Sequence, residues 1–174
     1  MIQIQAHYFQ YNMLLEIFTE PNPILRKVSK QLTKEDIGSK KFKKFIKDLT
    51  ETMYIRDGVG IAAPQAGESL MVCLIAKDFT PSREKDLILI NPVWEKKSIL
   101  KTLDEEGCLS VPGVYGLVKR YKKIKIKALD EHGKEICFEA EDFPARVIQH
   151  EIDHLNGVLF IDKAKNIRYA EKTL

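Results

Sequence analysis

Residues 123–157 read KIKIKALDEHGKEICFEAEDFPARVIQHEIDHLNG, and this stretch decides the fold. Residues 123–128 alternate lysine with apolar side chains, which is typical of a strand with one exposed face. Residues 130–133, DEHG, predict a turn into a second strand over 135–140, with His132 on the surface. Beyond that strand, apolar residues recur at three- and four-residue spacing, which predicts a helix. The stretch therefore predicts an antiparallel strand pair followed by a helix.

The predicted helix has signals at both ends and an apolar stripe along one side. Asp142 is a candidate N-cap, Pro144 suits the first turn, and Gly157 can close the last turn. Because residues three and four apart share a helix face, one face can pack against the strands. The residues expected on that buried face are Val147, Ile148, Ile152 and Leu155.

The chain before this stretch predicts one further long helix and two buried strands. Residues 34–56 have the spacing of an amphipathic helix, and Asp57-Gly58 should end it, with Gly58 in the left-handed conformation. The apolar runs 71–76 and 87–90 are short and bounded by turn residues, as buried strands are. The order of these elements predicts an α+β fold, with antiparallel strands around a central helix.

The composition is that of an ordinary globular protein, with 174 residues and a net charge of only +3. We expect residues 1–12 to form an N-terminal arm and residues 13–174 to form a single domain. The small charge does not predict nucleic-acid binding, and no apolar run is long enough to predict a membrane span. Three cysteines and the lack of a secretory signal favour a cytoplasmic location.

The predicted helix carries the pattern H-E-x-x-H at His150, Glu151 and His154. Residues four apart lie one above the other on a helix, so both imidazoles can reach one metal ion. Glu151 is rotated away from His150 and can contact a water on that metal instead. The motif is short and also occurs by chance, on surface helices that bind no metal. The sequence nevertheless favours a metal-dependent hydrolase.

A catalytic metal site needs a third protein ligand, and Cys108 is the best candidate. In zinc peptidases with this motif, the third ligand is usually a His six residues downstream or a Glu on a following helix. Here position 160 is Phe, and Glu171 lies close to the chain end. Cys108 follows Gly107, which allows close backbone approach, although it could also be an ordinary core cysteine. The other two cysteines, Cys73 and Cys137, are expected to be small buried strand residues.

Three motifs occur in this chain, at residues 58–65 (GVGIAAPQ), 106–110 (EGCLS) and 149–154 (QHEIDH). In order and separation they resemble the signature motifs of the peptide deformylase family. The similarity extends from about Leu14 to the 160s and leaves out the N-terminal arm. The resemblance implies a deformylase catalytic domain that removes the formyl group from the initiator formyl-methionine of nascent polypeptides and releases formate.

The resemblance also implies the composition of the active site. Cys108, His150 and His154 would bind one divalent metal ion, with Fe(II) expected as the native metal. Zn, Ni or Co would also suit one thiolate and two imidazoles. Glu151 would take a proton from a water on the metal and pass it to the departing amide nitrogen. The side chain of Gln65 and the backbone N–H of Leu109 would stabilise the charge on the formyl oxygen.

The substrate-binding residues follow from the same resemblance. Val59, Phe143 and Val147 are candidates to line the pocket for the methionine side chain, although each could be plain core. Gly58 and Gly60 would let an extended peptide approach and pair as a strand, and Gly60 could alternatively serve a tight turn.

Three charged residues are expected around the pocket and around the loop that carries Cys108, called the metal loop below. Arg146 is expected at the edge of the pocket, where relatives commonly carry an apolar residue. Glu106 and Arg120 are expected to form an ion pair beneath the metal loop.

Two other classes of function remain open from the sequence alone. A small HExxH zinc metallopeptidase would share the histidines but would leave Cys108 and Gln65 without a role. A structural metal module would need a fourth protein ligand. A transient ribosome contact is also conceivable, since several relatives use a basic C-terminal helix, although after residues 163–165 such a helix would be short or missing.

Overall fold

The computed structural model describes residues 14–170, so the N-terminal arm expected at residues 1–12 and Glu171 lie outside it. Within this range two helices precede a run of seven strands, and a third helix and a last strand follow. The helices are α1 (Lys34–Gly38), α2 (Lys40–Ile55) and α3 (Asp142–Leu155). The strands are β1 (Gly60–Ala62), β2 (Val72–Ile75), β3 (Leu87–Lys96), β4 (Lys101–Cys108), β5 (Val111–Tyr121), β6 (Lys123–Leu129), β7 (Glu135–Glu141) and β8 (Lys165–Tyr169).

The strands of the described residues form two antiparallel sheets. One sheet has the order β1-β2-β3-β6-β7, and the other has the order β4-β5-β8. In β2, Cys73 and Ile75 face a core cluster that contains α3, whereas Val72 and Leu74 face a second cluster that contains α2. The two helices therefore cover opposite faces of the larger sheet, and the predicted α+β plan with a central HExxH helix is confirmed.

The stretch that predicted the fold forms the elements expected of it. Strands β6 and β7 pair in register from Lys123 with Glu141 to Leu129 with Glu135. Gly133 in the turn has a φ of 75°, and Gly157 closes α3 with a φ of 72°. Apolar spacing predicted these elements because one face of each is buried against the same core. The whole predicted stripe of α3 is buried: Val147, Ile148, Ile152 and Leu155.

The start of α3 differs from the prediction that Asp142 is its N-cap. The cap position is Glu141, whose backbone is still extended as part of β7, and its side chain makes no capping hydrogen bond. Asp142 has a φ of 56°, and its N–H donates to the carbonyl of Lys122 at 2.8 Å. The helix therefore follows β7 directly, and the carbonyl of Lys122 satisfies one of the N–H groups that the start of a helix leaves unpaired.

The helix predicted over residues 34–56 is interrupted at Ser39, which separates α1 from α2. Ser39 has extended backbone angles, its hydroxyl donates to Asp36 O, and it accepts from the N–H of Phe42. A serine that bonds the backbone on both sides ends one helix and begins the next.

The end of α2 also differs from the prediction. The left-handed residue is Asp57, with a φ of 53°, and not Gly58. Asp is one of the few non-glycine residues that adopt this conformation readily. Gly58 has a packing role, since a Cβ there would lie within 3.3 Å of Met53 O, Gly60 O and a methyl of Leu109.

The second sheet was not predicted from the sequence. Strand β4 has five exposed residues in succession, from Lys101 to Glu105, so it lacks the alternation that identified β6. This sheet carries Cys108 at the end of β4. A small hydrophobic cluster that includes Leu25, Val118 and Phe160 packs against it. Among the described residues, no helix is long and apolar enough to cross a membrane.

Candidate metal centre and active site

Cys108, His150 and His154 lie close together, as the sequence predicted. Their ligand atoms are all within 4.8 Å of one another. The Cys108 Sγ atom is 3.2 Å from His154 Nε2, and the two imidazole rings are 5.0 Å apart in an edge-on arrangement. One sulfur and two ring nitrogens at this separation can all contact a single divalent ion.

Two separate elements bring these ligands together. The histidines are one helical turn apart on α3, whose apolar stripe fixes its position on the larger sheet. Cys108 ends β4, where the pairing with β5 shifts register between Gly107 and Cys108. A Cβ on Gly107 would lie 2.9 Å from the ring of Tyr115, so glycine allows this close approach. The N–H of Ser110 donates to Cys108 Sγ at 3.4 Å, which holds the sulfur in place.

Glu106 orients the His150 ring through its Nδ1 atom. Because a carboxylate only accepts, His150 Nδ1 donates to Glu106 Oε2 at 2.9 Å, which leaves Nε2 of that ring for a metal. Arg120 donates to both carboxylate oxygens at 2.9 Å, so the predicted Glu106–Arg120 ion pair is present and buried. Burial would raise the pKa of Glu106, but the hydrogen bonds from Arg120 and His150 hold it well below its usual range. Glu106 is therefore a carboxylate at neutral pH.

The Arg120 side chain also connects this pair to Asp153 within the HExxH motif. Its Nη1 atom donates to Asp153 Oδ2, which additionally accepts from Lys163 Nζ at 2.5 Å. No role was predicted for Asp153 from the sequence. Its spacing of three residues from His150 places the two on the same side of a helix, which could have indicated one.

Glu151 lines the cleft and is buried. Its side chain is 3% exposed, and its Oε2 atom has no hydrogen-bond partner among residues 14–170. Burial raises the pKa of Glu151 to about 7, which is a value suited to a group that takes and returns a proton. A Cβ on Gly60 would lie 2.6 Å from Glu151 Oε1, so Gly60 makes room for this carboxylate.

Gln65 is held in a fixed orientation beside the ligands. Its Oε1 atom accepts from the N–H of Ala62 at 2.8 Å, so its Nε2 atom faces the centre. Nε2 lies 3.5 Å from Cys108 Sγ and 3.2 Å from Ser110 Oγ. One end of the amide is therefore bound to the turn, while the other end points to the site. Ser110 is a further site residue that the sequence analysis did not single out.

A cleft of about 680 Å³ opens beside these groups. It is a size that accommodates a small peptide or a drug-sized ligand. Gln65, Cys108, His150 and Glu151 lie at its wall, together with Leu109. The residues predicted to bind substrate also line it: Val59, Gly60, Phe143 and Val147.

Two residues differ in burial from the prediction. Arg146 lines the cleft but is 4% exposed, and its guanidinium points beneath the metal loop, where it donates to Glu106 Oε1 at 2.7 Å. It therefore lies at the cleft as expected, but its guanidinium is buried. Cys73 is buried as expected, whereas Cys137 is exposed, because it lies on the solvent face of β7.

A family model for polypeptide deformylases matches residues 14–170 of this chain. The chain belongs to the polypeptide deformylase family. This confirms the family predicted from the three motifs. Polypeptide deformylases are metal-dependent hydrolases that remove the formyl group from N-formyl-methionyl polypeptides. The HExxH metallopeptidase considered from the sequence is not favoured.

Curated relatives agree with this assignment over most of their length. Peptide deformylase 1 of Bacillus cereus is 46% identical over 160 residues, which are 91% of this chain and 96% of the relative. The peptide deformylase of Desulfotalea psychrophila is 42% identical over 157 residues, covering 89% and 90% of the two chains.

Solved deformylase structures share the fold of this chain. The peptide deformylase of Thermotoga maritima superposes with a TM-score of 0.81 at 37% identity, covering 88% of this chain and 99% of that one. A class I type b peptide deformylase from Acinetobacter baumannii with Met-Ala-Ser bound has a TM-score of 0.81 at 33% identity, covering 87% and 99%.

Proposed function

We propose that Cys108, His150 and His154 hold the catalytic divalent metal of this deformylase and that Glu151 moves the proton in the reaction. The observation that supports this most is the convergence of the three ligand atoms within 4.8 Å beside a buried carboxylate and a cleft. Four protein ligands would close the coordination shell, whereas three leave a position for water or substrate.

The residues around the centre fit a divalent metal ion. His150 Nδ1 is already engaged by Glu106, and His154 presents Nε2 toward Cys108 Sγ, so each ligand can offer one free donor atom. One soft thiolate and two imidazoles suit Fe(II), Zn, Ni and Co, and we propose Fe(II) as the native metal on the family resemblance. When bound, such an ion activates water as a nucleophile and polarises the formyl carbonyl.

Glu151 acts in this proposal as general base and then as general acid. A carboxylate with a pKa near 7 accepts a proton from the attacking water and gives it to the amide nitrogen as the carbon–nitrogen bond breaks. Formate and a free amino terminus are the products. Gly60 has no side chain and so leaves room for this carboxylate at the cleft.

Gln65 and Leu109 stabilise the negative charge that develops on the formyl oxygen. The Gln65 amide is preorganised by its bond from Ala62, so Nε2 can donate without reorganising during the reaction. The Leu109 backbone follows Cys108 in the turn between β4 and β5 and lies at the cleft wall. An uncharged amide suits this task because it donates at every pH.

The formyl-methionyl peptide binds in the cleft as an extended chain. Strand β1 is an edge strand of the larger sheet and begins at the cleft, and β4 is an edge strand of the smaller sheet and ends there. An extended backbone can therefore pair beside Val59 and Gly60. The methionine side chain packs against Val59, Phe143 and Val147, of which Val147 is buried and Phe143 is 44% exposed.

The nascent chain is the proposed natural partner, so we place the reaction in the cytoplasm, near the ribosome. A basic C-terminal helix is one means by which relatives could dock there. In the described part of this chain, residues 165–169 form β8 of the smaller sheet. Co-sedimentation with ribosomes at low and moderate salt tests a ribosome contact.

The experiment that tests the proposed function is formate release from formyl-Met-Ala-Ser by anaerobically purified protein with its metal content measured. We expect formate in proportion to bound metal and no cleavage of the Met-Ala bond. Cys108→Ser should lose both metal and activity, while Cys137→Ser should keep both, because Cys137 is exposed on β7. Cleavage of unblocked peptides without formate release would favour a metallopeptidase instead.

A further inference from the structure

Arg146 is the buried cation of the site that the proposed mechanism does not use. It lies on α3, one turn before His150, and only 4% of its surface is exposed. Burying a guanidinium is costly unless its donors are satisfied, so a buried arginine needs several well-placed acceptors.

The partners of Arg146 come from the strands that precede and follow Cys108. Nη1 donates to Glu106 Oε1 at 2.7 Å and to the carbonyl of Val118 at 3.0 Å. Nη2 donates to the carbonyl of Thr102 at 3.0 Å and to its hydroxyl at 3.1 Å. Four of the five N–H groups of an arginine are thus committed to the β4–β5 hairpin. The head group is therefore not available to bind substrate.

The same contacts complete the environment of Glu106. Its Oε1 atom accepts from Arg120 and Arg146, and its Oε2 atom accepts from Arg120 and His150. A carboxylate has about four acceptor positions, and all four are filled. Glu106 therefore has one orientation, and that orientation decides which nitrogen of His150 is free.

The metal ligands lie on two separate elements, and the distance between these elements must be fixed for the ligands to share one ion. Cys108 ends β4, whereas His150 and His154 lie on α3. Arg146 bonds α3 to both strands of the hairpin, β4 through Thr102 and β5 through Val118. A planar, five-donor group is suited to such a bridge, and a lysine with a single nitrogen is not.

We propose that Arg146 is a positioning residue that fixes the hairpin bearing Cys108 against the helix bearing the two histidines, and so sets the affinity of the centre for its metal ion. This inference rests on the metal-ligand roles proposed above. Loss of a group that supports a metal ligand indirectly typically costs 10–100-fold in affinity or activity.

The test uses the full chain with Arg146→Met and Arg146→Lys, and measures Zn(II) affinity by competition with a chelator. We expect Arg146→Met to bind Zn(II) about 10–100-fold more weakly and Arg146→Lys to recover part of the loss. The absorption spectrum of the Co(II) form should change in Arg146→Met. The loss of deformylation should appear in kcat, with KM for formyl-Met-Ala-Ser within about twofold of wild type.

Arg168→Met is the matched control. Arg168 makes a bidentate pair with Glu105 on the same hairpin, but it comes from β8 and not from α3. A general loosening of the hairpin would weaken Zn(II) binding in both variants, whereas the proposed bridge affects only Arg146. We therefore expect Arg168→Met to bind Zn(II) within about twofold of wild type.

Wild-type Zn(II) affinity in Arg146→Met would overturn the inference, and so would an increase in KM alone, which would make Arg146 a substrate-binding residue. If Arg146→Met does not fold, Arg146→Lys decides: wild-type affinity and an unchanged Co(II) spectrum in that variant overturn the inference. Cys108→Ser separates this result from the proposed function, since retained Zn(II) affinity there would contradict the ligand set itself.

Discussion

At the scale of single residues, the proposed chemistry depends on Glu151 as the group that moves the proton. Replacing Glu151 with Gln keeps the shape but removes the base. We expect kcat to fall by about 10²–10⁴-fold with metal content unchanged, because Glu151 is not a ligand. Formate release and metal analysis on the same sample check this.

The control for that substitution is Glu139→Gln, which removes an exposed carboxylate from β7 that pairs with Lys123 at the surface. It should leave kcat unchanged. Turnover at the wild-type rate in Glu151→Gln would remove Glu151 from the mechanism.

Gln65 provides a second prediction at this scale. Gln65→Leu removes the Nε2 donor from a side chain that is 2% exposed and faces the ligands. We expect kcat to fall by about 10²–10³-fold, the usual cost of losing one donor to a developing oxyanion. Steady-state kinetics with formyl-Met-Ala-Ser measure this, and a change confined to KM would contradict the assignment.

At the scale of elements, the contact between β1 and α3 positions the base. Gly60→Ala would place a Cβ 2.6 Å from Glu151 Oε1, so the carboxylate must move. We expect the protein to fold and kcat to fall by at least about tenfold. A tenfold loss corresponds to an increase of roughly 1.4 kcal/mol in the activation free energy, caused by the displaced carboxylate.

Gly38→Ala is the matched control for this substitution. A Cβ at Gly38 meets nothing within 4 Å, and the residue lies in α1, far from the chemistry. It should leave kcat unchanged and raise the free energy of unfolding by about 0.4–1 kcal/mol, because alanine restricts the unfolded chain. Equal kinetics in the two variants would show that Gly60 does not position Glu151.

The elements differ in how well the sequence predicted them, and burial explains the difference. Strand β6 alternates between buried and exposed positions, and α3 buries one stripe, so hydrophobic periodicity identified both. Strand β4 presents five exposed residues in succession and carries no such signal. The break between α1 and α2 depends on hydrogen bonds of Ser39, which apolar spacing does not encode.

At the scale of the whole molecule, the site is assembled from contacts between distant parts of the chain. The histidine pair could be predicted from local spacing, because four residues make one turn of helix. Cys108 lies far from His150 in the sequence, so local spacing does not connect the two. It was predicted because it stands in one of the three family motifs. The bonds of Arg146 to Thr102 and Val118 could not be predicted, because they depend on how the second sheet lies against α3.

Because the ligands belong to separate elements, a bound metal should stabilise the whole fold. Zn(II) at about 100 times its dissociation constant adds roughly 2.7 kcal/mol to the free energy of unfolding. For a chain of this length we expect the melting temperature to rise by about 5–10 °C. Thermal unfolding with and without Zn(II) measures this. Cys137→Ser should show the full shift, and Cys108→Ser should show little of it; equal shifts in both would exclude Cys108 as a ligand.

The most direct test of the account is X-ray absorption spectroscopy of the protein loaded with one equivalent of Zn(II). We predict one sulfur neighbour at about 2.3 Å and two imidazole nitrogens at about 2.0–2.1 Å. The sulfur signal should disappear in Cys108→Ser and persist in Cys137→Ser. A shell of nitrogen and oxygen alone in the wild-type protein would contradict the proposed centre.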